Sequence, residues 1–253
     1  MSTPTKDRII ETSAELFRRQ GYSATGVKQI VTAAQAPFGS LYHFFPGGKE
    51  ELGAAAVRAS GAIYAQLIPA VFDPAPDVLT GVRNFFAVAA AHLEETDYED
   101  ACPIATVALE VSSISETMRE ACAEVFESWI TLGAARFAAA GFDADTAREL
   151  TVAMLAALEG AFVLARALRD TEPLHVAGEL MAQRVSKTLD GAPAEPPPRE
   201  ASPAGSPAAR SPAGSPAPSS PAHILPTAAP VRPRLRARWP DRGEERSRGP
   251  ASP

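Results

Sequence analysis

Cysteine is scarce in this chain, because the 253 residues contain only Cys102 and Cys122. The two lie far apart in sequence, whereas a zinc knuckle needs cysteines two to four residues apart. A cytosolic setting would also keep both thiols reduced. We therefore expect neither a disulfide framework nor a metal centre.

Long apolar runs are absent, since no stretch of 18 or more consecutive apolar residues occurs. Near the N-terminus, Lys6, Asp7 and Arg8 occupy positions where a signal peptide would need an apolar run. The sequence predicts a cytoplasmic protein that does not associate with a membrane.

Motifs typical of enzymes are also missing. The chain has no Gly-rich phosphate loop, no His-Glu-x-x-His and no Gly-x-Ser-x-Gly, and its four histidines are His43, His92, His175 and His223. No two residues are recognisable as a catalytic nucleophile and its general base. We expect no catalytic residue, no cofactor and no enzymatic activity, with a helical enzyme as the weaker alternative.

The formal net charge of −6 is unevenly distributed. Residues 1–52 carry six Lys/Arg against five Asp/Glu, whereas residues 53–190 carry nine against twenty. A nearly neutral head on an acidic body can approach DNA head first, because phosphates repel the body.

Residues 191–253 differ sharply in composition, since sixteen of the 24 prolines fall there. Proline at this density blocks helix and sheet hydrogen bonding, so the sequence predicts a disordered Pro/Ala/Ser/Arg-rich tail. Arginines alternate with other residues from Arg232 to Arg238. A solvated terminus, a basic arm that touches DNA or membrane, and a frame-shifted reading of a GC-rich gene are three open interpretations.

Residues 1–190 are predicted to be helical nearly throughout, because period-2 alternation is absent and prolines are few. The pattern indicates an all-α fold of about nine helices. Besides two short helices between residues 25 and 45, the predicted segments are 5–20, 49–68, 77–95, 104–111, 115–140, 143–169 and 173–189.

The segment between the first and second long helices has the pattern of a helix-turn-helix. Thr25 is placed as an N-cap for a two-turn helix, and Ala36-Pro37 ends that helix. In the next short helix Leu41 and Phe45 face inward, whereas the outward side chains are those of Ser40, Tyr42 and His43. A helix of this kind fits the major groove of DNA.

These residues resemble the N-terminal signature of the TetR family. The matching elements are Leu16-Phe17, Gly21-Tyr22, Ala24-Thr25, Ile30, Gly39-Ser40-Leu41-Tyr42-His43, Phe45 and Lys49-Glu50-Glu51-Leu52. The runs Phe45-Pro46-Gly47-Gly48-Lys49, Cys102-Pro103-Ile104-Ala105 and Leu109-Glu110 further resemble the LmrA/YxaF-like branch. The resemblance implies a DNA-binding domain at 1–52 and a helical effector-binding and dimerisation domain at 53–190.

The resemblance also implies which residues contact DNA. The expected set is Thr25, Lys28, Phe38, Gly39, Ser40, Tyr42, His43 and Lys49. Thr25, Tyr42 and Lys49 would bind phosphates, while Ser40 and His43 would face bases or backbone. Phe38 stands where relatives often carry Lys, and it could touch a thymine methyl group.

The same resemblance implies a homodimer and a small apolar or aromatic effector that releases the protein from its operator. Small residues in the last long helices permit close helix approach. Residues that could line an effector pocket are Phe85, Phe86, His92, Cys102, Glu110, Phe126, Trp129, Met154 and Phe162. An architectural DNA-binding protein without effector is the alternative to a repressor.

Overall fold

The computed structural model describes residues 4–100 and 102–191, and all of their regular structure is helical. The all-α prediction is confirmed. The helices are α1 Thr5–Gln20, α2 Val27–Ala33, α3 Phe38–Phe44, α4 Gly48–Ala65, α5 Leu67–Phe72, α6 Val78–Glu95, α7 Pro103–Val111, α8 Glu116–Ala139, α9 Ala144–Leu168 and α10 Glu172–Gly191. The described residues end at Gly191, so the rest of the predicted tail lies outside them.

Three of the long helices begin at a side-chain cap. The side chains of Asp77, Ser115 and Asp143 accept hydrogen bonds from backbone amides three residues later, at 2.7, 3.1 and 3.0 Å. Each cap satisfies one of the amides that a helix N-terminus leaves without a partner. These three residues also begin the predicted segments, so the caps explain where α6, α8 and α9 start.

Gln66 interrupts the predicted helix 49–68, which becomes α4 and α5. Pro69 has no amide hydrogen to bond the carbonyl four residues before it, so the helical ladder cannot run unbroken through this point. The ordered segment then continues to Phe72 rather than ending at Ile68.

The first three helices form a small head around a common apolar centre. Ile9, Phe17, Ile30, Leu41 and Phe45 are all buried there. Because α1 also packs on α4 and α7, the head shares an interface with the helices that follow it.

In the body, α4 packs on α8, α8 on α9, α9 on α10 and α10 on α6. Glycine permits these close approaches at Gly61, where a β-carbon would lie 2.4 Å from Val125, and at Gly133, where it would lie 2.5 Å from Thr151. The segments Gly48–Phe72 and Ala144–Leu168 are long and apolar enough to cross a bilayer, yet less than half of each apolar window is buried. Core helices of soluble proteins pass the same test of length and composition.

Candidate nucleic-acid interface

The second and third helices are joined by a tight turn. The amide of Ala36 donates to the carbonyl of Val31 at 2.9 Å, and Gln35 adopts a positive φ of 50° to close α2. Pro37 then precedes α3, whose inner face is fixed by the buried side chains of Leu41 and Phe45. The opposite face of α3 is therefore turned to solvent.

The outward face of α3 combines aromatic and polar groups. Phe38 and Tyr42 are 55% and 48% exposed, and their ring centroids lie 5.8 Å apart. His43 is exposed and meets Phe44 edge-on at 5.0 Å, while Ser40 is half-buried. A β-carbon at Gly39 would have no neighbour within 4 Å, so α3 can approach another surface closely at this residue.

The two other helices of the head each carry an exposed lysine. Lys28, which is expected to contact DNA, is exposed near the start of α2. Lys6 on α1 places its ammonium nitrogen 5.6 Å from the ring centroid of Phe45, just beyond the end of α3. Lys6 was absent from the predicted contact set, because nothing in its local sequence indicates proximity to a residue so far along the chain.

The prediction that Thr25 caps α2 is wrong. Gly26 occupies the N-cap position, and no side chain caps the helix. The hydroxyl of Thr25 is fully buried, donates to the carbonyl of Gly21 at 2.7 Å and accepts from the side-chain nitrogen Nε2 of Gln20 at 3.0 Å. Thr25 therefore holds the α1–α2 turn together, and its hydroxyl does not reach the surface as the expected phosphate contact required.

Lys49 was predicted to bind a DNA phosphate, but its ammonium group has partners within the protein. Its ammonium donates to the carbonyl of Tyr22 at 2.8 Å and lies 4.1 Å from the centroid of the Tyr22 ring. Burial lowers the pKa of Lys49, and the negative charge of Glu110 opposes that effect. Lys49 is thus a contact between α4 and the α1–α2 turn.

Glu110 belongs to the same contact and not to a pocket in the body, which corrects its predicted role. Its two carboxylate oxygens accept hydrogen bonds from the backbone amides of Tyr22, at 3.2 Å, and Ser23, at 2.7 Å. Glu110 lies near the end of α7, so a body helix directly holds the turn that leads into the helix-turn-helix.

The other predicted effector residues lie in the core of the body. Phe86, Cys102, Trp129, Met154 and Phe162 are buried, and Phe85, His92 and Phe126 are half-buried. A small pocket lies elsewhere, between α1, α4 and α7, and none of the predicted residues lines it. Its lining residues are Ala14, Phe17, Ala56, Val57, Ser60, Pro103, Ile104 and Val107.

Two polar groups inside the body, Glu159 and Tyr64, were not predicted from the sequence. Burial raises the pKa of Glu159 to about 7, and its carboxyl is hydrogen-bonded to the Cys102 thiol. Burial also raises the pKa of Tyr64. Both residues occur on helices with an ordinary apolar pattern, so no local signal marks them as a polar cluster.

A second polar contact joins the head to the body. The guanidinium of Arg18 on α1 forms an ion pair with Asp100, and the exposed fractions of the two side chains are 12% and 11%. His92 lies 3.9 Å from the same carboxylate. Burial and the positive charge of Arg18 lower the pKa of His92.

Two protein families match separate parts of the chain. Residues 9–56 match bacterial regulatory proteins of the tetR family, and residues 78–180 match the C-terminal domain of LmrA/YxaF-like transcriptional regulators. The first match contains α2 and α3, and the second extends from α6 into α10.

Individual relatives agree with these matches. The HTH-type transcriptional regulator YxaF of Bacillus subtilis is 36% identical over 182 residues, which are 72% of this chain and 95% of the relative. LmrA of the same organism is 31% identical, over 67% of this chain and 90% of the relative. A crystal structure of regulatory protein TetR from Rhodobacter sphaeroides superposes with a TM-score of 0.63 at 26% identity, over 72% of this chain and 98% of that one.

Proposed function

Since the chain belongs to the TetR family of DNA-binding transcriptional regulators, in its LmrA/YxaF-like branch, we propose that it is a repressor released from its operator by a small apolar or aromatic effector. The observation that supports operator binding is the geometry of α3. Leu41 and Phe45 anchor one face of the helix in the head, which leaves Phe38, Tyr42 and His43 on an exposed face. A helix presented in this way can enter the major groove.

In the proposed complex, the polar groups of α3 contact DNA directly. The Tyr42 hydroxyl and the His43 imidazole bind phosphates or base edges, and Ser40 lies near the backbone. Gly39 allows close approach, and Lys28 and Lys6 bind phosphates beside the groove. Thr25 and Lys49 contribute by shaping the α1–α2 turn instead of binding DNA through their side chains.

We propose that the operator-binding particle is a homodimer formed through α9 and α10. An exposed stripe of small and apolar residues recurs every three or four positions on α9: Val152, Ala156, Gly160, Val163 and Ala167. Val176 and Leu180 are exposed on the adjoining α10. Such a surface favours a helical interface between two copies, and two heads then read two half-sites.

Residues 53–190 are the proposed effector-binding and dimerisation domain, and residues 1–52 the proposed DNA-binding domain. The aromatic groups around α6, α8 and α9, including Phe85, Phe126 and Trp129, remain our proposed lining for an effector. An effector releases DNA only if it binds the released conformation more tightly than the DNA-bound one. We place the protein in the cytoplasm, where its operator is.

Fluorescence anisotropy with DNA from the upstream region of the gene tests the proposal. The dimer should bind one segment of this DNA tightly, and an apolar effector should release it. Binding that no candidate compound changes would favour an architectural role, and turnover of a compound without DNA binding would favour an enzyme. The double replacement of Tyr42 and His43 by Ala should abolish operator binding, whereas the control Ile63→Ala, on an exposed part of α4, should not.

A further inference from the structure

The α1–α2 turn is held from two sides by charged groups of α4 and α7. On one side, the carboxylate of Glu110 accepts hydrogen bonds from the amides of Tyr22 and Ser23. On the other, the ammonium of Lys49 donates to the Tyr22 carbonyl. Hydrogen bonds that involve an ionised group are shorter and about twice as strong as neutral ones. The two peptide units are therefore fixed in orientation with respect to α4 and α7.

The turn leaves room for this contact. Gly21 has φ of +83°, and a β-carbon there would lie 2.0 Å from Oε1 of Glu110. The ring of Tyr22 packs against Gly53 of α4, where a β-carbon would come within 2.8 Å of it. Glycine at both positions allows the turn to lie directly against the body.

Resting on the function proposed above, we infer that Glu110 is a positioning residue: through the amides of Tyr22 and Ser23 it sets the orientation of the DNA-binding head on the body. α2 begins at Val27, only four residues after Ser23. The heads of a dimer must meet two half-sites one helical turn apart, so the orientation of each head matters only when both bind together. Loss of the Glu110 contact therefore weakens binding to a full operator and leaves binding to one half-site unchanged.

Three proteins test the inference: wild type, Glu110→Ala and Glu110→Gln. The matched control is Glu120→Ala, which removes the same charge from an exposed site on α8. The probes are a full operator, selected by the wild-type protein from a random-sequence duplex library, and a duplex with one of its half-sites. We expect Glu110→Ala to lose about tenfold in affinity for the full operator, within the usual range of coupling between sites, and less than twofold for the half-site.

Glu110→Gln should fall between wild type and Glu110→Ala, because its amide oxygen can still accept one of the two hydrogen bonds. Equal losses on full operator and half-site would overturn the inference, since they indicate damage to the head itself. No loss on either probe would overturn it as well. If Glu110→Ala does not fold, the comparison is made with Glu110→Gln, for which we expect a loss of about threefold confined to the full operator.

Amide hydrogen exchange provides a readout that needs no DNA. In the folded Glu110 variants, the amides of Tyr22 and Ser23 should exchange at least tenfold faster than in wild type, while amides of α8 and α9 keep their protection. Unchanged exchange at these two amides would overturn the contact on which the inference depends. If the wild-type protein selects no DNA at all, the proposed function fails while the exchange result still stands by itself.

Discussion

Gly21 and Glu110 are 89 positions apart in sequence, yet a β-carbon on Gly21 would lie 2.0 Å from a carboxylate oxygen of Glu110. Gly21 ends α1 with φ of 83° and ψ of 165°, a backbone conformation that is essentially restricted to glycine. The same residue thus meets two requirements, one for the turn at the end of α1 and one for the contact with α7.

Replacement of Gly21 by Ala should destabilise the protein by about 1–3 kcal/mol, the usual cost of a strained backbone conformation. The flexible Glu110 side chain would also move away, so the full-operator affinity should fall as in Glu110→Ala. Gly26→Ala is the matched control, because its φ is negative and a β-carbon there meets nothing within 4 Å. Denaturant unfolding measures the stability of the two variants, and equal midpoints would contradict the prediction.

The Arg18–Asp100 ion pair gives a second prediction about the head and the body. Asp100→Asn removes the charged partner of the mostly buried Arg18 in the body, while Arg18 keeps its ion pair with Glu15 on α1, so the replacement should lower the free energy of unfolding by about 2 kcal/mol. The exposed pair Arg58–Glu124 is the control, and Glu124→Gln should have a much smaller effect. A loss for Asp100→Asn no larger than that of the control would show that the pair does not join the two parts.

Local sequence patterns were sufficient to predict most of the helices. The apolar spacing and Gly21 located α1 at its observed ends, and the capping residues Asp77, Ser115 and Asp143 marked three helix starts. The alternation of Leu41 and Phe45 with outward polar residues also placed the two faces of α3. These features depend on residues within a few positions of one another.

The roles that depend on distant contacts could not be predicted in this way. Lys49 and Glu110 both meet Tyr22, but 27 and 88 residues separate them from it, and only the packing of α4 and α7 brings them together. Thr25 has a side chain suited to capping, yet its hydroxyl bonds the Gly21 carbonyl because α2 starts one residue later than a Thr25 cap requires.

Phe38 should determine part of the operator sequence. Its exposed ring is supported by Tyr42, and burying a thymine methyl against it is worth about 0.8 kcal/mol, or about fourfold in affinity per half-site. Replacing thymines of the selected operator with deoxyuridine, one position at a time, should reveal one position with this loss. Phe38→Ala should abolish the effect there, whereas Tyr42→Phe should retain it. Insensitivity of the wild-type protein at every thymine would contradict the prediction.

Glu159 should make stability depend on pH. Its pKa is about 7 in the folded protein and near 4.5 when unfolded, so between these values the folded state holds a proton that the unfolded state has released. The contribution of Glu159 to the free energy of unfolding is complete below pH 4.5 and is lost as the pH rises towards 7. The slope is at most about 1.4 kcal/mol per pH unit, less where solvent reaches the carboxyl.

Glu159→Gln should remove this pH dependence, because an amide stays neutral and can still bond the Cys102 thiol. The variant should therefore be more stable than wild type at pH 8, with the difference shrinking towards pH 5. Thermal unfolding at both pH values measures it. A constant difference between the two proteins would mean that Glu159 does not change its charge over this range.

Val163 lies within the exposed stripe of α9, so its replacement by Glu should break the proposed dimer. The side chain is 62% exposed in one protomer, and a carboxylate from each copy would have to be buried in the interface without a partner. Sedimentation velocity should show a monomer that retains the helical circular dichroism of wild type. Ile63→Glu is the control, since Ile63 is 68% exposed but lies on α4, away from the stripe, and should leave the dimer intact.

The Val163→Glu monomer should still bind a half-site as wild type does, because its head is unchanged, but should gain nothing from the second half-site. A Val163→Glu protein that remains dimeric would place the interface on another surface, and that surface would then set the spacing of the two heads.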